Sequence, residues 1–191
     1  MPHVTVIGTG NMGQAIAGVL TKGGATVDLV RHGDSDAEVT GDIVVLAVPY
    51  PALQDVVARR GASLDGKVVV DITNPLNFET FDSLTVPADG SAAAELSEQL
   101  PGAKVLKAFN TTFAATLAAG TVGDAPTTVL IAGDDADAKA ALADVVTAGG
   151  LRALDAGKLS RARELEALGF LQLTMAAAER IPWTGGFAVL P

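Results

Sequence analysis

The chain of 191 residues is long enough for one well-packed domain and leaves no obvious room for a second. Apolar residues make up 49% but aromatics only 4%, so Ala, Val, Leu and Gly fill the interior, which suits parallel strands covered by Ala-rich helices. A net charge of −9 with scattered Lys and Arg argues against a nucleic-acid partner, and the absence of Cys excludes disulfides, thiolate metal sites and Cys nucleophiles.

In chain order, His3 to Ile7 is a β-branched run followed by glycines and a helix-like stretch from Met12 to Lys22, which Gly23-Gly24 stops. Thr26 to Val30 and Asp42 to Val48 are two more apolar runs, giving the βαβ order of a parallel sheet. The interval from Arg31 to Gly41 is too short for a crossover helix plus a strand, which needs at least ~10–12 residues for the crossover alone. The edge strand usual in such a half is therefore expected to be missing, with the sheet ending on the second strand.

Further on, Pro51 to Arg60 reads as a helix and Lys67 to Ile72 as a strand that Asn74-Pro75 closes. Phe78 to Ala88 is loop-like, and Ser91 can cap a helix running to Leu100. Val105 to Phe109 is a strand, a helix starts near Thr112 and stops at Gly120, and Thr127 to Ala132 is another strand. Asp135 to Ala148 is a helix, Leu151 to Leu154 a short strand, and Lys158 to Arg180 the longest helix, ended by Pro182. No apolar run reaches the ~18 residues of a membrane span, and no basic leader precedes the first strand, so a cytoplasmic location without a membrane partner is expected.

Gly8-Thr9-Gly10-Asn11-Met12-Gly13 follows a strand and opens a helix, the context in which a G-x-G-x-x-G turn binds a dinucleotide. Gly8 permits the tight turn, Gly10 lets the backbone approach a pyrophosphate, and Gly13 lets the helix pack on the strand. The anion then sits at the helix N-terminus, where free N–H groups and the dipole favour it. The fold expected is α/β: a Rossmann-type, doubly wound and mostly parallel sheet with a shortened second crossover. Residues 1–155 would form the dinucleotide-binding domain. Residues 156–191, a C-terminal helix and tail, would pack on it or across a homodimer.

The end of the second strand selects the cofactor. Where NAD enzymes place an acidic residue roughly 20 residues after the glycines, this chain has Arg31-His32. Arg31 can pair bidentately with a 2′-phosphate that a carboxylate would repel, and His32 can add a donor, so NADP(H) is favoured over NAD(H). Asp28 is the competing acidic residue, but strand alternation places it mid-strand.

Ligands of open parallel sheets lie across the C-terminal strand ends. Those ends are Ala47-Val48-Pro49-Tyr50, Thr73-Asn74-Pro75-Leu76 and Ala108-Phe109-Asn110-Thr111. Val48-Pro49 would pack on the ribose or ring, while Asn74 and Asn110 either offer amides to the carboxamide or serve their own turns. No acid–base constellation is apparent, no catalytic residue can be named, and no metal site is expected. Tyr50 and Lys107 are fallback donors, with Tyr50 read as pocket lining and Lys107 as structural. An enzyme that only moves a hydride between two bound rings needs no such donor.

The turn Gly8 to Gly13, Ala47-Val48-Pro49-Tyr50-Pro51, Val68 to Leu76 and Val105 to Thr111 together resemble the deazaflavin (coenzyme F420)-dependent NADP reductase-like proteins. The resemblance runs from Val4 through the C-terminal helix. It implies Thr9 to Met12 at the pyrophosphate, Arg31 with His32 at the 2′-phosphate, and Val48-Pro49 with Ala108 to Asn110 around the nicotinamide. It also implies an NADP(H)-dependent oxidoreductase with a flavin or F420-like second substrate. Two alternatives stay open: reduction of a small imine or carbonyl, as in pyrroline-carboxylate reductases, and a non-catalytic NADP(H) sensor.

Overall fold

The β-branched runs become strands buried on both faces, which is why they read as unbroken hydrophobic stretches. The computed structural model describes residues 1–31, 33–34 and 37–190. In chain order the elements are β1 (His3–Ile7), α1 (Asn11–Lys22), β2 (Thr26–Val30), β3 (Ile43–Leu46), α2 (Leu53–Arg60), β4 (Val68–Asp71) and α3 (Ala92–Gln99). Then come β5 (Lys104–Lys107), α4 (Ala114–Ala119), the two-residue strands β6 (Thr121–Val122) and β7 (Ala125–Pro126), β8 (Thr128–Gly133), α5 (Ala136–Ala148), β9 (Arg152–Gly157) and α6 (Ala162–Ala177).

The main sheet runs β2-β1-β3-β4-β5-β8-β9, with α/β topology and parallel pairing everywhere except β5–β8. Two apolar cores cover it. One packs α1, α4 and α5 on Val4, Val6, Val45, Val70 and Leu106; the other packs α2 and α3 on Ile7, Val44, Leu46 and Val69. This is the mostly parallel Rossmann-type sheet with a C-terminal helix that the sequence predicts. The reversal at β8 was not legible: α4 and the β6–β7 hairpin turn the chain over before β8 pairs Leu106 with Gly133 and Lys107 with Ala132.

Among the described residues the sheet does end on β2, as the short interval requires. The return from β2 to β3 lies directly on β1. Gly41 donates to the Thr5 hydroxyl at 2.9 Å, and a Cβ on Gly41 would collide with the backbone of β1. Arg60, buried at the end of α2, donates to the carbonyls of Asp34 and Ala37 and pins the outward leg. Asp28 sits mid-strand opposite Thr5, where it accepts from His3 at 2.6 Å and Thr40 at 2.5 Å. Those donors hold its carboxyl below the usual range, Thr40 contributing most. A carboxylate on the open edge strand β2 also discourages pairing with other chains.

α6 is shorter than the sequence predicts, because Leu159–Arg161 form a separate 3-10 turn before it. No helix among the described residues is long and apolar enough to cross a membrane, and no cluster of His, Cys, Asp and Glu could hold a metal.

Candidate functional site

The glycine turn joins β1 to α1 at the C-terminal edge of the sheet. Gly8 has φ +121°, a conformation that costs a residue with a Cβ, and its N–H donates to Val30 O at 2.8 Å. A Cβ on Gly8 would strike the Ala47 carbonyl, and one on Gly13 would strike the Gly8 carbonyl. Gly10 differs: nothing lies within 4 Å of where its Cβ would stand. Gly10 also N-caps α1 without any side-chain cap, and the first turn carries no acidic residue. The turn is thus closed on the protein side and open at Gly10, the shape and polarity a pyrophosphate needs. A dinucleotide therefore fits this edge.

Arg31 follows β2 directly and is exposed beside the turn. His32 lies outside the described residues. Ala47, Val48 and Pro49 continue β3, with Ala47 N donating to Ile7 O at 2.8 Å and Val48 buried.

The ends of β4 and β5 are locked together by a buried polar cluster. Lys107 Nζ, fully buried, donates to Asp71 Oδ2 at 2.8 Å and to Thr73 O at 2.5 Å, and lies 2.8 Å from Glu166 Oε1 on α6. Asp71 Oδ1 accepts from Thr73 N, while Glu166 accepts from the first N–H groups of α3 at Ala92 and Ala93. Burial pushes the Glu166 carboxyl above its ordinary value, against the opposing pull of Lys107. Three elements, β4, β5 and α6, thereby meet at one ammonium, and α3 joins them through Glu166.

Beyond this cluster, Asn74 and Asn110 form a reciprocal pair. Asn74 Nδ2 donates to Asn110 O at 2.9 Å, and Asn110 Nδ2 donates to Asn74 Oδ1 at 2.9 Å and to Leu165 O at 2.8 Å. The preceding residue, Phe109, is fully buried with φ +62°, an unfavourable region for a side chain of that size. Its carbonyl accepts from both the amide and the hydroxyl of Thr112.

Two cavities open at these strand ends. One, of about 380 Å³, lies between the turn and the C-terminal segment and is lined by Asn11, Met12, Ile72, Asn74, Asn110, Thr112, Phe113, Ala114, Ala115, Leu173 and Trp183. The other, of about 560 Å³, lies on the α2–α3 side and includes Tyr50, Leu76, Phe78, Glu79 and Glu95. Tyr50 donates to Glu95 Oε2 at 2.6 Å, and burial together with Glu95 raises its phenol well above the usual value.

Residues 29–75 match the family described as coenzyme F420-dependent NADP oxidoreductase. The F420-dependent NADP reductase of Methanocaldococcus jannaschii is 31% identical over 154 residues, covering 78% of this chain and 69% of the relative. This chain belongs to the F420-dependent NADP reductase family. With it, the chain falls among the NADP-dependent oxidoreductases, the class its residues suggest. The family's enzyme from Methanothermobacter marburgensis is 31% identical over 164 residues, covering 81% of this chain and 72% of that protein. A solved structure from Arthrobacter sp. FB24, provisionally described as an F420-dependent NADP reductase, superposes with a TM-score of 0.85 over all of both chains at 24% identity. That likeness shows the shared fold.

The structure brings most of the residues singled out in the sequence to one edge of the sheet. The six turn residues, Arg31 and Ala47 to Pro49 share one edge, and Asn11, Met12, Asn74 and Asn110 line one cavity. Of the two readings of Asn74 and Asn110, the bonds seen serve the loops: Asn110 Nδ2 donates to Asn74 Oδ1 and Leu165 O, and Asn74 Nδ2 gives one hydrogen to Asn110 O. Asp71 at the end of β4 is paired with Lys107. Glu166, Glu95 and Arg60 were not singled out, and Trp183 stood only at the start of an apolar tail readable as a pairing segment or a pocket wall across a dimer. The only sequence signal for them was a charged or aromatic residue inside an otherwise apolar stretch, and their partners lie far away in the chain.

Proposed function

We propose that this chain transfers a hydride between NADP(H) and a planar flavin or deazaflavin acceptor, an F420-like ring included. The observation that carries this reading is the 380 Å³ cavity beside the glycine turn: none of its lining residues is an acid or base near neutral pH. Reduction of a carbonyl or imine needs a positioned proton donor. Hydride passage between two stacked rings does not. When bound, NADP(H) would supply the hydride and the acceptor ring would take it up, a proton from bulk solvent balancing the charge of the reduced acceptor.

NADP(H) supplies the hydride-carrying ring, and the chain supplies orientation and exclusion of water. In this reading Gly8, Thr9, Gly10, Asn11, Met12 and Gly13 carry the pyrophosphate, and Arg31 with His32 takes the 2′-phosphate. Ala47, Val48 and Pro49 border the ribose, while Pro75, Ala108 and Phe109 hold the backbone around the ring. Asn74 and Asn110 act through their mutual bonds, which fix the two loops, rather than as free donors. Residues 1–155 serve as the binding unit and 156–191 as the segment closing its ring end. The exposed Leu171, Phe187 and Leu190 support pairing of that segment with a second copy, checked by light scattering on the eluting protein.

A second reading, reduction of a small imine or carbonyl, draws on the other cavity, where the half-buried Tyr50 hydroxyl, bonded to Glu95, is a candidate proton donor. The two are separated by measuring NADPH oxidation with F420, FMN, FAD and small imines, in wild type and in Tyr50→Phe. Turnover of the planar acceptors that survives Tyr50→Phe is expected. Turnover of an imine alone, lost in Tyr50→Phe, overturns the first reading. Tight NADPH binding with no acceptor turned over overturns both and leaves a sensor.

A further inference from the structure

Every part of the 380 Å³ cavity comes from a strand end or flanking helix except one side chain, which arrives from the tail. After α6, Gly185 N donates to Pro182 O at 2.9 Å, closing a tight turn with Trp183 at its corner. The indole stands against Phe113 with ring centroids 5.0 Å apart and planes tilted by 56°. Phe113 itself is buried at the start of α4, so it is a firm backing. Trp183 nevertheless remains 52% exposed, and it lines the cavity together with Met12, Asn74 and Asn110.

The tail is tied down rather than draped. Gln172 uses both ends of its amide: Nε2 donates to Thr111 O at 3.2 Å, and Oε1 accepts from Phe187 N at 3.0 Å. Gly186, with φ +140°, allows the tail to pass this close, since a Cβ there would crowd Gln172 Oε1 at 2.9 Å. Arg152 on β9 adds a bond to Val189 O at 3.0 Å. The same glutamine therefore connects the Asn110–Thr111 loop with the segment carrying Trp183. A half-exposed indole held by its own turn and backed by a buried ring is a preformed stacking surface for a flat aromatic ligand.

We propose that Trp183 contacts the acceptor, stacking on its planar tricyclic ring and thereby selecting flavin- or deazaflavin-type acceptors over small imines. The inference rests on the reading of the function given above. It adds a residue of the C-terminal tail to a site otherwise built from the sheet edge. Trp183 acts on acceptor binding and not on NADP(H) binding.

The test is a binding titration, with turnover as a second readout. Wild type, Trp183→Phe and Trp183→Leu, each checked by thermal melting, are saturated with NADP+ and titrated with FMN and with F420, following the ligand's own fluorescence. An indole stacked on such a ring also gives a long-wavelength charge-transfer absorbance, and Trp183 is the only tryptophan in the chain that could produce it. Loss of the indole is expected to weaken acceptor binding about 10-fold in Trp183→Leu and less in Trp183→Phe. The absorbance should disappear in both, NADP+ affinity should hold, and acceptor KM should rise with kcat at saturation retained. A ring that binds wild type and Trp183→Leu equally overturns the proposal alone. So does an equal loss of NADP+ and acceptor affinity. A ring that binds through Trp183 but is not reduced upholds the contact and overturns the hydride reading. Failure of wild type to bind any planar ring overturns both.

Discussion

The glycine turn and the paired ends of β4 and β5 sit on the same edge of one sheet, yet they are built by opposite means. The turn is local, six residues long, and works by leaving things out: no Cβ at three positions, no cap and no acidic residue on the first turn of α1. The strand ends are non-local and work by filling. Lys107, Asp71, Thr73, Glu166, Ala92, Asn74, Asn110 and Leu165 bond segments up to 74 residues apart in the interior, with Thr73 Oγ1 and Asn110 Oδ1 left as buried atoms without a partner among the described residues. The first region is shaped to receive charge from outside; the second neutralises charge inside. In the proposed reading both are used, the open cradle for the phosphates and the stiff wall for the ring.

If the wall is held by its buried charges, the largest effect follows from removing the central one. Lys107→Met leaves Asp71 and Glu166 buried without their cation, at a cost of about 3–5 kcal/mol. Denaturant melts should show this loss, and proteolysis should attack the Thr73–Asn74 and Asn110 loops first. A variant as stable as wild type would mean that packing alone holds the wall.

The turn breaks differently at its two glycines. Gly13→Ala forces α1 away from β1 and should cost about 1–3 kcal/mol of stability. Gly10→Val meets only open space in the protein, so its melting temperature should stay near wild type. Its NADPH affinity should nonetheless fall about 10- to 100-fold, the cost of overpacking a ligand contact. Equal stability losses at both positions would erase the contrast between cradle and wall.

Next in size is Arg31→Ala. Losing a charge-assisted bond to the 2′-phosphate should weaken NADPH about 10- to 100-fold and leave NADH nearly unchanged, as read by fluorescence titration. Similar losses for both cofactors would remove Arg31 from phosphate recognition.

This difference in construction also explains what could be read from the chain. The turn is a string of neighbours with fixed spacing, so the conformation of Gly8 to Gly13 was legible from the sequence. The short run from Arg31 to Gly41 likewise stated that no strand fits, and Gly41 against β1 is the physical form of that constraint. Lys107 and Asp71 were visible only as charges at the ends of apolar strands. Nothing in their spacing specifies that β4 and β5 lie side by side in register, Asp71 opposite Lys107. Glu166 was further out of reach, because α6 crosses onto α3 and β5 only after the antiparallel reversal at β8. Trp183 read as part of an apolar tail until the turn at Pro182 and the ring of Phe113 gave it a direction.

The smallest expected effect concerns how the wall carries its charge. Glu166 has its folded pKa raised above the ordinary value of 4.5, chiefly by burial. Between 4.5 and the raised value the folded protein holds a proton that the unfolded chain has released. Stability attributable to Glu166 therefore falls as pH rises through that window and is constant on either side of it. Glu166→Gln keeps the shape and removes the titration. Asp28, Asp135, Asp155 and Glu164, whose pKa values are lowered, act in the opposite sense but are present in both proteins and cancel in the difference. The stability of wild type minus that of Glu166→Gln should thus increase as the pH is lowered from neutral towards 4.5, then level off. A difference that shrinks on acidification would mean Lys107 outweighs burial and keeps Glu166 ionised. The wall would then be a full ion triad, and Lys107→Met would carry an even larger share of its strength.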